Sequence, residues 1–109
     1  MASTYKVLAQ VNPSATTATT AYTCGSASGA VVSTISVCNQ AATAGTYRIA
    51  VRPAGATLDP KHYIAYDVAI AANDTTALTL GITLANTDVV TVYCSSASMS
   101  INLFGTELS

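Results

Sequence analysis

The sequence predicts an all-β chain: a single antiparallel β-sandwich of about eight strands, spanning residues 1–109. Three observations carry this. Apolar residues recur with a period of two, which places alternate side chains on opposite faces of a strand. Turn-forming residues interrupt the chain about every ten positions. No stretch carries a useful apolar period of 3.6, and the alanines sit among Thr, Ser and Gly, which are indifferent or poor helix formers. Jelly-roll and immunoglobulin-like connectivities both use about eight strands in two sheets, so both stay open.

The first strand is expected at Tyr5–Val11, with Tyr5, Val7, Ala9 and Val11 on one face. Pro13 ends it, because proline lacks the ladder donor. Ala18–Cys24 reads as a weaker edge strand, and Gly25–Gly29 as a flexible turn. Ala30–Asn39 places Val31, Ile35 and Val37 on one face. Thr46–Arg52 alternates throughout, with Tyr47, Ile49 and Val51 inward and Arg48 and Arg52 outward. Pro53–Pro60 is expected to lack regular structure.

The strongest patterns follow. In Tyr63–Ile70, Ile64, Tyr66, Val68 and Ile70 share one face and Tyr63, Ala65, Asp67 and Ala69 the other. In Leu78–Leu84, Leu78, Leu80, Ile82 and Leu84 alternate with Thr79, Gly81 and Thr83. These runs are expected to be the two central strands, their aliphatic faces forming one wall of the core. Val89–Cys94 is β-branched and strand-forming. Met99–Gly105 closes the domain, with Met99, Ile101 and Leu103 on one face.

Composition bounds the function. Only 8% of residues are charged, against about 25% in ordinary globular chains. Low charge points to a membrane protein or to a subunit hidden in an assembly. No run approaches the ~20 apolar residues of a spanning helix. Ser and Thr instead make up about a quarter of the chain. Their short hydroxyl side chains let a surface meet a neighbour with little charge to desolvate and little side-chain entropy to lose. The four cations, Lys6, Arg48, Arg52 and Lys61, are scattered. That excludes the clustered basic footprint of a nucleic-acid binder. The N-terminus lacks the apolar core of a signal peptide, so synthesis in a cytoplasm is expected.

No catalytic constellation emerges. Cys24, Cys38 and Cys94 lack zinc-site spacing and read as buried free thiols. His62, the one histidine, reads as a solvated loop residue. The five acids are dispersed, and Asp74 and Asp88 sit in turns where Asp has a conformational role. No cofactor, metal or enzymatic site is expected. Asp67, mid-strand, is the acid that stands apart, suited to an arginine on a neighbouring strand or subunit. Arg48, Arg52 and Asp67 are therefore the candidate subunit-interface residues.

Several segments carry a resemblance. They are Lys6–Gln10, Ser33–Asn39, Tyr47–Gly55, the block from Ala72–Asp74 to Gly81–Leu84, and Phe104–Glu107. Together they resemble small structural proteins of tailed bacteriophages over nearly the whole chain. The resemblance implies a virion protein made in the host cytoplasm, most often a capsid decoration (cement) protein binding the major capsid protein. A homo-oligomer, such as a trimer on a lattice axis, is the expected form. A tail, neck or fibre component is the alternative, including a host-surface adhesin that uses loops such as Gly25–Gly29 or Pro53–Pro60. A non-viral immunoglobulin-like module is a further reading. Such modules usually sit in longer chains than Met1–Ser109, which weighs against it.

Overall fold

A computed structural model describes residues 3–108. Met1, Ala2 and Ser109, which entered the reading of leader and chain length, lie outside the described residues. The eight strands are β1 (Ser3–Val11), β2 (Thr19–Thr23), β3 (Ala30–Asn39), β4 (Gly45–Arg52), β5 (Tyr63–Ile70), β6 (Thr75–Leu84), β7 (Val89–Cys94) and β8 (Met99–Leu108). They form two four-stranded antiparallel sheets, ordered β1-β8-β3-β6 and β2-β7-β4-β5. The first half of the chain therefore pairs with the second as four nested partners: β1 with β8, β2 with β7, β3 with β6, β4 with β5. That winding is a jelly roll, which resolves the choice of connectivity.

The core lies between β3 and β8 on one side and β4 and β7 on the other. Val32, Ile35, Val37, Ile101 and Leu103 from the first sheet meet Tyr47, Ile49, Val90 and Val92 from the second, all fully or almost fully buried. Each such aliphatic contributes roughly 1.5–3 kcal/mol of burial. The inward placement of Tyr47, Ile49 and Val51, and of Met99, Ile101 and Leu103, follows the period-two reading.

The two strongest sequence patterns are not central. β5 and β6 are edge strands of different sheets. Both are bulged, as edge strands often are. On β6 the register slips between Thr79 and Ile82, where Leu80 and Gly81 intervene, with Gly81 at φ +62°. Leu78, Ile82 and Leu84 still face the core, but Leu80 is turned out and 48% exposed. On β5, Tyr66 and Asp67 fall between Ala65 and Val68, with Asp67 at φ 50°. A second slip follows at Ile64. Ala65 and Ile70 pack inward, while Ile64 and Tyr66 are exposed, so the expected aliphatic face is split.

Bulges correct two further faces. Ser33 is an extra residue between Val32 and Thr34, opposite adjacent residues of β8. It sends Val32 inward and Val31 outward. Leu8 is extra in β1 opposite Phe104 and Leu103. Tyr5 and Val7 are thereby exposed, while Leu8, Ala9 and Val11 pack on the core.

The 53–60 stretch is also more regular than expected. Pro53–Gly55 and Pro60–His62 form short 3₁₀ turns. Proline's fixed φ suits the first position of such a turn. Asp59 caps the second turn, accepting from the Lys61 amide at 3.2 Å. His62 is buried rather than solvated, its Nδ1 accepting from the Asp59 amide at 3.0 Å. Cys24 and Cys94 are buried free thiols, and burial pushes the Cys94 thiol up to about 11. Cys38 departs from the expectation and is only half-buried.

Candidate functional site

The two sheets present very different outer surfaces. On the β2-β7-β4-β5 sheet, Arg48 of β4 lies directly opposite Tyr93 of β7. Its guanidinium carbon sits 4.1 Å from the Tyr93 ring centre and 4.2 Å from that of Tyr66. The cation is thus held between two aromatic faces. Arg48 Nε donates to Asp67 Oδ1 at 2.6 Å and Nη2 to Oδ2 at 3.3 Å, a forked pair. The bond to Asp67, foremost, holds the guanidinium more firmly charged. The β5 bulge makes this possible, by turning both Tyr66 and Asp67 to the outer side. Tyr63 meets Tyr66 edge-on at 4.9 Å.

Arg52, four residues further along, is used differently. Its Nε donates to Thr91 Oγ1 at 3.0 Å, and its Nη1 reaches the carbonyls of Gly55 and Ala56. Asp88 accepts from the Ala54 amide at 2.9 Å. Together these tie the first 3₁₀ turn to β4 and to the start of β7. Val89 and Thr91 are buried as a result. Beside the second turn, Leu58, Asp59, Pro60, Tyr63 and Tyr66 line an open cleft of about 600 Å³.

Of the three sequence candidates, the fold brings Arg48 and Asp67 into one cluster. Arg52 is committed to the 53–56 turn. Sequence reasoning missed Tyr66 and Tyr93 as the rings that flank Arg48. The alternation at β4 pointed Arg48 outward, but nothing in it placed Tyr66 on the same side.

The outer face of the β1-β8-β3-β6 sheet has no counterpart to this cluster. Register defines four successive rows across it. They are Tyr5–Thr106–Val31–Thr83, Val7–Phe104–Thr34–Thr79, Gln10–Asn102–Ser36–Ala77, and Ser100–Cys38–Thr75. None of these residues is charged. Tyr5 is 82% exposed, Val7 46% and Phe104 37%, with Leu80 at the β6 margin. The result is a broad neutral surface of hydroxyls and exposed apolar groups. The threonine enrichment was its only sequence signal.

A third polar cluster closes the mouth between the sheets. Glu107 of β8 accepts from the Tyr22 hydroxyl of β2 at 2.5 Å and from Lys6 Nζ of β1 at 2.9 Å. The Tyr22 hydrogen bond, then that of Lys6, holds the Glu107 carboxyl below its ordinary value. Burial, then the Glu107 partner, raises the Tyr22 phenol. The latch joins the two sheets at the β1/β2 margin.

Among the described residues, no group of three or more His, Cys, Asp or Glu side chains is arranged to hold a metal ion. No helix among them is long and apolar enough to cross a membrane. No family model, curated protein or solved structure matches the chain.

Proposed function

We propose that this protein is a structural component of a tailed-bacteriophage virion, a capsid decoration protein that binds the major capsid protein. The observation that carries the reading is the neutral outer face of the β1-β8-β3-β6 sheet. Among the described residues, Tyr5, Val7, Leu80 and Phe104 expose large apolar side chains on this sheet, with no charged residue in its outer register rows, and exposed apolar patches mark interaction surfaces. Here they are set among threonines, so docking desolvates no ionised group and immobilises few long side chains. The face would lie against the shell, and repetition over many copies would turn a modest contact into resistance to capsomer separation. The sequence resemblance supports the same reading. The jelly-roll winding recurs in viral capsid and lectin domains, an analogy of fold that carries no weight alone.

The experiment is the copy number of this protein relative to the major capsid protein in purified particles, by quantitative mass spectrometry. A ratio near unity, or one copy per capsomer, is expected for a decoration protein. Absence from the particle would end the reading. A ratio of a few copies per particle would move the protein to the tail, neck or fibre. One observation favours that second reading, with a host-surface adhesin as its form. The open cleft beside Tyr63 and Tyr66 offers exposed aromatic surface near the carboxylate of Asp59, and tyrosine serves interfaces well.

A further inference from the structure

A sheet edge presents unpaired N–H and C=O groups, and proteins protect edges with short strands, charges, prolines or bulges. The four edges here differ in how they are protected. β1 carries Lys6 and a bulge at Leu8. β2 is five residues long and bulged at Ala21. β5 carries Asp67 and two register slips. β6 is ten residues long and holds no charged residue and no proline. Its single irregularity lies toward its end, at Leu80–Gly81, which leaves Thr75–Thr79 straight and regularly paired to β3 on one side alone. Among the described residues, no backbone hydrogen bond from outside β3 reaches Thr76–Thr83.

We propose that β6 pairs antiparallel with β6 of a second copy, joining two sandwiches into a dimer with a continuous eight-stranded sheet. The free ladder groups call for a strand as occupant. A second β6 fits because the segment is neutral throughout, so two copies meet with no like charges opposed. A two-fold axis normal to the sheet keeps outer face beside outer face. It pairs residues of equal parity, and centred on Ala77 it sets Thr75 against Thr79 of the partner subunit. The contact is isologous and closes at two copies, unlike the trimer expected from the sequence resemblance. It also doubles the neutral outer face. Five paired residues bury far less than the ~800 Å² per partner of a standard interface, so the association is weak and dependent on concentration. The inference rests on edge geometry and is independent of the virion reading.

The test is sedimentation velocity on the isolated protein across a concentration series, with thermal melting as the folding control. Wild type is expected to shift from monomer to dimer as concentration rises. Ala77→Lys sets two cations against each other across the axis, and is expected to weaken association at least about tenfold with melting unchanged. Ala77→Cys in a Cys38→Ser background supplies a readout that needs no loss of binding. Directly opposed residues lie about 4.5–5.5 Å apart at Cα, within disulfide range, so a cross-linked dimer is expected on mild oxidation. A protein that stays monomeric at the highest concentration, or an oligomer indifferent to Ala77→Lys and not trapped by Ala77→Cys, overturns the proposal. Either result leaves shell binding, measured on particles, to be judged separately.

Discussion

The outer faces of the two sheets share one backbone architecture and are finished in opposite ways. On the β2-β7-β4-β5 sheet the chain covers β4 and β7, while Ile64, Tyr66 and Val68 of the β5 edge stay exposed. Arg52 and Asp88 draw the 53–56 turn over β4 and β7, and Arg48 is enclosed by Tyr66, Tyr93 and Asp67. The β1-β8-β3-β6 sheet has no such cover, and its register rows expose Tyr5, Val7 and Phe104 among threonines. Where arginines are present, their hydrogen bonds are met within the chain. Where the surface is left bare, charge is absent. A face that keeps its polar groups occupied has little to offer a partner, whereas a neutral bare face loses little on being covered.

The sharpest way to break the comparison is to remove the geometry behind the bare face. Gly105 lies between Lys6 of β1 and Val32 of β3. A Cβ there would collide with the Val31 carbonyl oxygen, which belongs to the sheet backbone and cannot swing aside. Gly105→Ala is expected to destabilise the fold by roughly 3 kcal/mol or more, read by chemical denaturation.

Arg48 tests the covered face. Arg48→Ala removes the fork to Asp67 and the cation between the two rings. Its melting midpoint is expected to fall by roughly 2–5 °C. Arg48→Lys should recover part of this, since it keeps a charge but loses the planar fork. A full recovery would mean that charge alone matters there.

The Tyr22–Glu107–Lys6 latch belongs to neither face and should respond to pH. Glu107 is lowered in the folded state. Its contribution is therefore present above its ordinary value of about 4.3 and lost as pH falls through the folded value. Tyr22 is raised, so its contribution is complete below its ordinary value of about 10 and lost as pH rises above that. Stability should hold a plateau between about pH 5 and 9. Tyr22→Phe should shrink the alkaline limb and weaken the acid one. An unchanged profile would show that the latch adds nothing.

The smallest expected effect lies in the core shared by both sheets. The Tyr47 hydroxyl is buried with no hydrogen-bond partner among the described residues, and burial raises its phenol. Tyr47→Phe is expected to be neutral or to stabilise by up to about 1 kcal/mol. A clear loss of stability in a denaturation titration would contradict this.

Strand positions were legible in the sequence because period-two patterning and turn residues are local. The central faces of β4 and β8 were legible for the same reason. Sheet order was not. β5 and β6 carry the most regular alternation and were expected at the centre, yet they lie at edges, since order depends on how the nested halves wind. Bulges hid the rest. One extra residue at Ser33 or Leu8 reverses the side chains beyond it, the slip at Leu80–Gly81 turns Leu80 out, and of these only Gly81 marks its site by residue type. Asp67 stood out as a mid-strand acid. Its partner Arg48 could not be assigned, because neither the pairing of β4 with β5 nor the slip that turns Tyr66 outward beside Asp67 has a sequence signature. The bare face was least legible of all, its apolar members Val7 and Leu80 being indistinguishable from core residues.

The most direct test of the central claim is competition for the particle between variants of the two faces. Tyr5→Ser/Phe104→Ser on the bare face and Arg48→Ala on the covered face would be supplied together with wild type, and their occupancy on purified virions read by mass spectrometry. The bare-face variant is expected to be depleted at least about tenfold, a change of ~1.4 kcal/mol in binding, while Arg48→Ala is retained at the wild-type level. Retention of the bare-face variant with loss of Arg48→Ala would contradict the account and place the docking surface on the other sheet.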